Sequence, residues 1–159
     1  MLTRSQYLSG KVRRWHTHHK MDQNNADHSW GVAMILLSIH PEPSLDLIRA
    51  AMMHDCGEYF TGDVPGFAKQ RNPELEKQLK SAEADAIGAL GFQSPELSET
   101  DQAWLSLADA LEAIMFLRHC SGASESDIQE YFPGLVAKAN KWAQVLDYDV
   151  SNVFEGTFR

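Results

Sequence analysis

Apolar residues recur at spacings of three and four along almost the whole chain, and no segment shows sustained alternation with β-branched enrichment. This periodicity predicts an all-α fold without a sheet. In a helix predicted over 27–39, Val32, Ile35 and Ile39 lie on one stripe, and Pro41 ends the helix because proline has no backbone donor. The first long helix is therefore expected to bury one face.

Caps and helix breakers divide the rest of the chain. The predicted segments are a helix from the N-cap Ser44 to about Tyr59, a loop over 61–66, a helix from Asn72 to Gly91, a helix opened by a capping box of Ser98 and Asp101, a loop over 121–127, and a final amphipathic helix over 135–146. We expect these helices to form one bundle.

The chain has 159 residues and is 43% hydrophobic, which fits a single domain over 1–159 with a sizeable core. A net charge of -8 argues against binding a nucleic acid polymer or an anionic membrane. No apolar run approaches the ~18 residues of a membrane span, and 1–10 lacks the apolar core of a signal peptide. We expect a cytoplasmic protein in which Cys56 and Cys120 are free thiols.

Metal-capable side chains lie at three separate places on or beside the predicted apolar faces. His54, Asp55 and Glu58 follow one another within about a turn, His28 begins an earlier helix, and Asp109 interrupts an apolar run. Burying such groups is unfavourable unless they are paired or bind a metal. Taken singly, each has an ordinary structural explanation, such as a buried Asp109 paired with an arginine. Together, two imidazoles and two carboxylates favour a borderline ion such as Co²⁺, Mn²⁺, Zn²⁺ or Fe²⁺ over Ca²⁺.

The order of these residues resembles the HD-domain phosphohydrolases, in which a His, a His-Asp pair and a later Asp bind metal in a helical bundle. It is most similar to the subgroup of bacterial 5′-deoxynucleotidases, and the resemblance spans 12–117. The segments that carry it are Arg14-Trp15, Asp27-His28-Ser29, His54-Asp55-Cys56-Gly57-Glu58-Tyr59-Phe60-Thr61-Gly62-Asp63-Val64-Pro65 and Asp109. The resemblance implies a single-domain HD bundle whose divalent metal is held by His28, His54, Asp55 and Asp109. A second ion such as Mg²⁺ is compatible with the same site.

The resemblance also implies roles for residues around the metal. Glu58 would serve acid-base chemistry, and Asp63 would lie at the sugar or the reacting phosphate. Arg14 would bind phosphate through its planar fork, and Trp15 would offer a ring on which a base stacks. Simple core packing is the alternative for Trp15. We add Lys69 as a substrate-binding residue because it follows the Asp63 loop.

The substrate expected from these features is a small-molecule deoxynucleotide. A basic string over 13–20, together with Lys69 and Arg71, favours a triphosphate, and the compact size is similar to phage dATP triphosphohydrolases. Our first choice is thus a dATP or dNTP triphosphohydrolase, with a 5′-deoxynucleotidase acting on monophosphates as the alternative. Two more functions compete with these, namely a non-catalytic nucleotide-binding module and a hydrolase of cyclic or guanosine polyphosphate messengers. Aromatic positions in the last helices would suit a homo-oligomer.

Overall fold

The computed structural model describes residues 1–16, 18, 20–119 and 122–151. Thr17 and His19 of the basic string and the predicted thiol Cys120 lie outside the described residues. The elements are α1 (Arg4–Ser9), β1 (Arg13–Arg14), β2 (Gln23–Asn24), α2 (Asn25–Ile39), α3 (Leu45–Met53), α4 (Glu58–Thr61), α5 (Gly66–Arg71), α6 (Pro73–Ala89), α7 (Glu99–His119) and α8 (Glu125–Leu146).

The central element of the bundle is α7, which packs against both α8 and α2, while α2 also packs against α3. Its side chains are buried on several sides, with Leu107 and Ile114 fully buried. A helix that is apolar over most of its circumference belongs in the middle of a bundle. The predicted all-α helical bundle is therefore confirmed. None of the helices in the described ranges is both long enough and apolar enough to cross a membrane.

A second group of helices consists of α1, α4, α5 and α6. Here α4 and α5 pack against α6, and α1 packs against α4. The start of α6 follows the prediction, because the Asn72 side chain accepts a hydrogen bond from the Leu75 N–H at 3.2 Å ahead of Pro73. Gly91, with a φ of 80°, follows the C-cap Leu90 in the left-handed region that favours glycine.

The expectation of no sheet is wrong in one small respect. β1 and β2 form an antiparallel pair in which Arg13 faces Asn24 and Arg14 faces Gln23. Strands of two residues are too short to produce an alternating sequence pattern, which is why the periodicity analysis missed them. The pair holds Arg14 beside the start of α2.

The predicted helix from Ser44 to about Tyr59 is interrupted. Ser44 is the N-cap of α3, as expected, but α3 ends at Met53 and the chain becomes helical again only at α4. In between, the Cys56 N–H donates to the Met53 carbonyl at 2.9 Å, a bond across three residues rather than four. The Asp55 carbonyl accepts from the Asn25 side chain at 3.0 Å, so a tertiary contact stabilises this turn.

The last two helices begin with serine caps. Ser98 accepts from the Asp101 N–H at 3.0 Å at the start of α7, which is one of the two hydrogen bonds of the predicted capping box. The final helix, however, begins at Glu125 after a capping box of Ser124 and Asp127, ten residues before the predicted start at 135. It continues through Pro133, which cannot donate the bond to the carbonyl four residues earlier and whose ring crowds that carbonyl. The loop predicted over 121–127 is accordingly shorter.

Candidate metal centre and active-site cavity

Three metal-capable side chains converge from three helical segments. His28 lies in the first turn of α2, His54 follows α3, and Asp109 lies in the middle of α7. His28 Nε2 is 3.2 Å from His54 Nε2 and 3.2 Å from Asp109 Oδ1. One ligand atom from each of the three lies within 4.8 Å of the others. The predicted joint approach of these residues is therefore found in the structure.

Asp55 joins the cluster from the turn after His54. Its Oδ2 lies 3.4 Å from the Nε2 atoms of both His28 and His54. The Nε2 atoms of the two histidines thus point toward each other next to two carboxylates. A cation bound between these four groups would interact favourably with all of them. The donor set of two imidazole nitrogens and two carboxylate oxygens fits a borderline divalent ion. The residues present thus fit the metal site predicted from the sequence.

The two histidines are oriented by partners at their other ring nitrogens. His54 Nδ1 donates to the Ala51 carbonyl at 2.9 Å, which leaves its Nε2 lone pair toward the cluster. His28 Nδ1 lies 2.5 Å from Oε2 of Glu112, a buried carboxylate on α7. Such outer partners fix the ring and raise the basicity of the metal-binding nitrogen. Burial opposes protonation of His28, but the Asp109 and Glu112 carboxylates raise its pKa to about 9.

Glu112 is not among the site residues predicted from the sequence. A signal was present, because Glu112 is a second acidic residue one turn after Asp109 in the same apolar stretch. The backbone of α2 makes room for it at Gly31, where a Cβ atom would lie 2.8 Å from Glu112 Cγ. The glycine of α2 and the acid of α7 therefore form one packing unit around the His28 ring.

A line of hydrogen bonds extends from this carboxylate to the predicted base-stacking residue. Gln23 Nε2 donates to Glu112 Oε1 at 2.7 Å, and Trp15 Nε1 donates to Gln23 Oε1 at 3.0 Å. The Trp15 ring stacks on Phe116 at a centroid distance of 5.8 Å. The backbone φ of Trp15 is 55°, which is rare for a bulky residue and indicates a constrained position. Trp15 thus combines core packing with a place in the cavity wall, and base stacking stays a prediction.

Glu58, the predicted acid-base residue, begins α4 and is almost fully buried beside the cluster. Its Oε2 accepts from the Asn25 side chain at 3.0 Å and lies 4.0 Å from Arg14 Nη1. Burial, together with the nearby Asp55 carboxylate, raises the pKa of Glu58 to about 8. The turn that delivers Glu58 packs closely on α6, since a Cβ at Gly57 would lie 2.3 Å from the Glu83 carbonyl oxygen.

A cavity of about 570 Å³ opens beside the cluster. Its volume falls in the range of small-molecule sites. Each predicted catalytic or substrate-binding residue lines it, as do two of the four metal-binding candidates. These residues are Arg14, Trp15, Glu58, Asp63, Lys69, Asp55 and Asp109.

Arg14 enters this cavity from β1 and pairs with the Asp55 carboxylate. Burial works against its charge, but Asp55 and Asp109 raise the pKa of Arg14 further, so the guanidinium stays charged. Within the described part of the chain, its buried Nε has no hydrogen-bond partner. A buried N–H without a partner is unfavourable. The charged guanidinium of Arg14 also lines the cavity, where it is suited to donate hydrogen bonds to an oxyanion.

The cation next to Asp109 is a residue that the sequence analysis did not single out. Lys138 of α8 places its Nζ 2.6 Å from Asp109 Oδ2, where an arginine was the expected structural alternative. Burial would raise the pKa of Asp109, but Lys138 and His28 hold it well below its usual range. The Asp109 carboxylate also raises the pKa of Lys138. The pair therefore stays ionised at neutral pH.

The comparisons with known proteins agree with this arrangement. The chain is 43% identical over 51 residues to the 5′-deoxynucleotidases of Vibrio vulnificus and of Vibrio parahaemolyticus. That segment is 32% of this chain and 26% of either relative, so about a quarter of the relatives' length is matched. No solved structure matches the chain. A sequence model of the family described as 5′-deoxynucleotidase YfbR-like matches residues 6–110. The chain belongs to this YfbR-like family of HD-type phosphohydrolases, as the helical bundle and the converging histidines and aspartates indicate.

Proposed function

We propose that the protein is a metal-dependent 5′-deoxynucleotidase that removes the phosphate from deoxynucleoside monophosphates. The observation that carries the proposal is the juxtaposition, around one cavity, of the cluster of His28, His54 and Asp109 with Glu58 and Arg14. Family membership and the names of the two Vibrio relatives support the choice of a deoxynucleotide.

The chemistry divides between the metal and the residues around it. His28, His54, Asp55 and Asp109 would hold a divalent ion such as Co²⁺, Mn²⁺ or Zn²⁺, which would supply Lewis acidity toward a water and a phosphoryl oxygen. Arg14 donates hydrogen bonds to the phosphate and holds it beside the cluster. Glu58 carries the proton between the attacking water and the leaving 5′ oxygen. Without the ion, burial and the Asp55 carboxylate raise the pKa of Glu58 to about 8, so this carboxyl is held closer to neutral pH than an exposed glutamate and suits proton transfer in both directions.

The number of phosphates on the substrate distinguishes this proposal from our first expectation. The comparisons favour the monophosphate alternative, because both named relatives are 5′-deoxynucleotidases. A dATP or dNTP triphosphohydrolase is the second candidate. Lys69 and Arg71 support it, since both line the same cavity as Arg14 and offer charge for further phosphates. Asp63 lies in the same wall, where we propose that it faces the sugar or the reacting phosphate.

The test is a substrate screen with product identification. Metal-free protein is reloaded with Co²⁺, Mn²⁺, Zn²⁺ or Mg²⁺ and incubated with the four deoxynucleoside monophosphates, AMP and dATP. We expect phosphate and deoxynucleosides as products, and slower reaction of AMP. Release of triphosphate from dATP, with deoxynucleoside monophosphates left intact, would support the second candidate instead. No hydrolysis of any nucleotide, despite tight nucleotide binding, would favour the non-catalytic binding module.

A pair of histidine variants separates this chemistry from contaminating phosphatases. His54→Ala removes a metal-binding candidate and should abolish the activity. His40→Ala is the matched control, because His40 caps the far end of α2 and packs edge-on against Trp104 at a centroid distance of 4.9 Å. It should retain the activity. If both variants were equally active, the hydrolysis would not arise at this cluster.

A further inference from the structure

Lys138 lies on α8, whereas the family match ends at residue 110 in α7. It nevertheless reaches the centre of the site, with its Nζ 2.6 Å from Asp109 Oδ2 and its side chain in the cavity wall. The side chain is 47% exposed, although the residue contacts a metal-binding candidate.

The two aspartates of the cluster carry one cation each. Arg14 pairs with Asp55, and Lys138 pairs with Asp109. Asp109 faces His28 with Oδ1 and Lys138 with Oδ2, so one carboxylate separates the metal position from the ammonium group. A phosphoryl oxygen that approached the metal position from the cavity would therefore lie near both Arg14 and Lys138.

The ammonium group of Lys138 also has hydrogen-bond donors left for a ligand. An ammonium group has three N–H donors and no acceptor. Among the described residues, Asp109 is the acceptor that the structure shows for it. The remaining donors can bind a ligand in the cavity, and a tetrahedral oxyanion offers several acceptors at once.

We infer that Lys138 contacts the substrate phosphate and acts on the Asp109 side of the cluster as Arg14 acts on the Asp55 side. This inference rests on the proposed function for its substrate, a phosphate monoester. It extends the phosphate-binding residues to α8, a helix that lies beyond the matched part of the family.

The experiment measures binding of inorganic phosphate, the product, to the metal-loaded full chain by titration calorimetry. Lys138→Met removes the charge and keeps the aliphatic stem, and Lys138→Arg restores a cation. Lys141→Met is the matched control, because Lys141 lies three residues further along α8 and its Nζ lies 4.7 Å from the Trp142 ring centroid. Metal content is measured for every variant by elemental analysis, and Lys138→Gln replaces Lys138→Met if the latter does not fold.

We expect Lys138→Met to weaken phosphate binding by about tenfold or more at full metal content, as for loss of a hydrogen bond to a charged group. Lys138→Arg should recover most of the affinity, and Lys141→Met should match the wild type. Three results would overturn the inference. They are unchanged phosphate affinity of Lys138→Met, a loss of phosphate affinity that is fully explained by a lower metal content of the variant, and no measurable phosphate binding by the wild type.

Failure of the inference and failure of the proposed function give different results. Phosphate binding needs no turnover, so a wild type that binds phosphate through Lys138 but hydrolyses no deoxynucleotide would overturn only the proposed function. A wild type that hydrolyses deoxynucleoside monophosphates, with Lys138→Met binding phosphate normally, would overturn only the inference.

Discussion

Replacing Glu112 by glutamine tests whether this buried carboxylate orients His28 for metal binding. In the wild type, Glu112 faces His28 Nδ1 at 2.5 Å and accepts from Gln23 at 2.7 Å. Glutamine has one oxygen and one amide nitrogen, so it cannot accept from both neighbours. The new amide N–H would therefore face either the His28 N–H or the Gln23 N–H, and two donors would meet. Rotation of the Gln23 amide by 180° would avoid this, but it would leave the Trp15 indole N–H without its acceptor.

Two effects of this substitution oppose each other. Loss of a carboxylate behind a metal-binding histidine lowers metal affinity by about 10- to 100-fold. Glu112, however, also helps to raise the pKa of His28 to about 9, against the effect of burial and together with Asp109. At pH 7, about two units lower, the wild type must release that proton before metal binds, which weakens its affinity roughly 100-fold. Because Glu112→Gln reduces this proton competition, its loss of affinity should be largest near pH 9 and smaller at pH 7.

The assay is chelator competition for Zn²⁺ or Co²⁺ at pH 7 and pH 9. Glu76→Gln is the control, since Glu76 pairs with Lys80 at 2.8 Å on the surface of α6. We expect Glu112→Gln to bind metal at least about tenfold more weakly at pH 9, and Glu76→Gln to match the wild type. Equal affinity of Glu112→Gln and the wild type at pH 9 would refute the orienting role. A larger loss at pH 7 than at pH 9 would refute the argument from proton competition.

Three further predictions concern catalysis, packing and pH. Glu58→Gln should keep its metal by elemental analysis but lose on the order of 10²-fold in kcat, and an unchanged rate would assign Glu58 a structural role. Gly57→Ala should lower the free energy of unfolding by about 1–3 kcal/mol in denaturant titrations, because its Cβ would lie 2.3 Å from the Glu83 carbonyl oxygen. The control Gly88→Ala should not lower the free energy of unfolding, because a Cβ at Gly88 meets nothing within 4 Å. The free energy of unfolding of the metal-free protein should fall as the pH rises from about 6.5 to 9. Folding raises the pKa of His28 from its ordinary value of 6.5 to about 9, so protonation of His28 stabilises the folded state fully below pH 6.5, and this stabilisation is lost as the pH rises through about 9. Thermal unfolding that is independent of pH in this range would contradict the last prediction.

The predictable parts of the fold were those with long periodic patterns or clear caps. The start of α2 could be placed to within two residues, and the Asn72 cap of α6 lies where the sequence predicts it. The four metal-binding candidates could also be identified, because charged groups on apolar helix faces are rare without a partner. Their approach to a common point could be inferred from side-chain chemistry and from resemblance, but not from spacing alone.

The parts that failed depend on contacts between distant segments. The periodicity predicts His54 and Asp55 inside a continuous helix, whereas the Asn25 side chain binds the Asp55 carbonyl and helps to form a tight turn. The partners Glu112 and Lys138 lie 84 residues from His28 and 29 residues from Asp109, respectively. Local periodicity carries no information about such pairs, since the packing of α2, α7 and α8 brings them together.

The division of the site between segments has a consequence for how substrate preference can change in evolution or in the laboratory. The metal-binding candidates come from α2, the turn after α3 and α7, whereas α8 contributes a separate wall of the cavity that includes Gly134. A Cβ built on Gly134 meets nothing within 4 Å. A library of larger side chains at this position would reduce the space for a substrate without replacing any metal-binding residue. Selectivity for substrate size could then diverge among relatives while the hydrolytic chemistry stays the same.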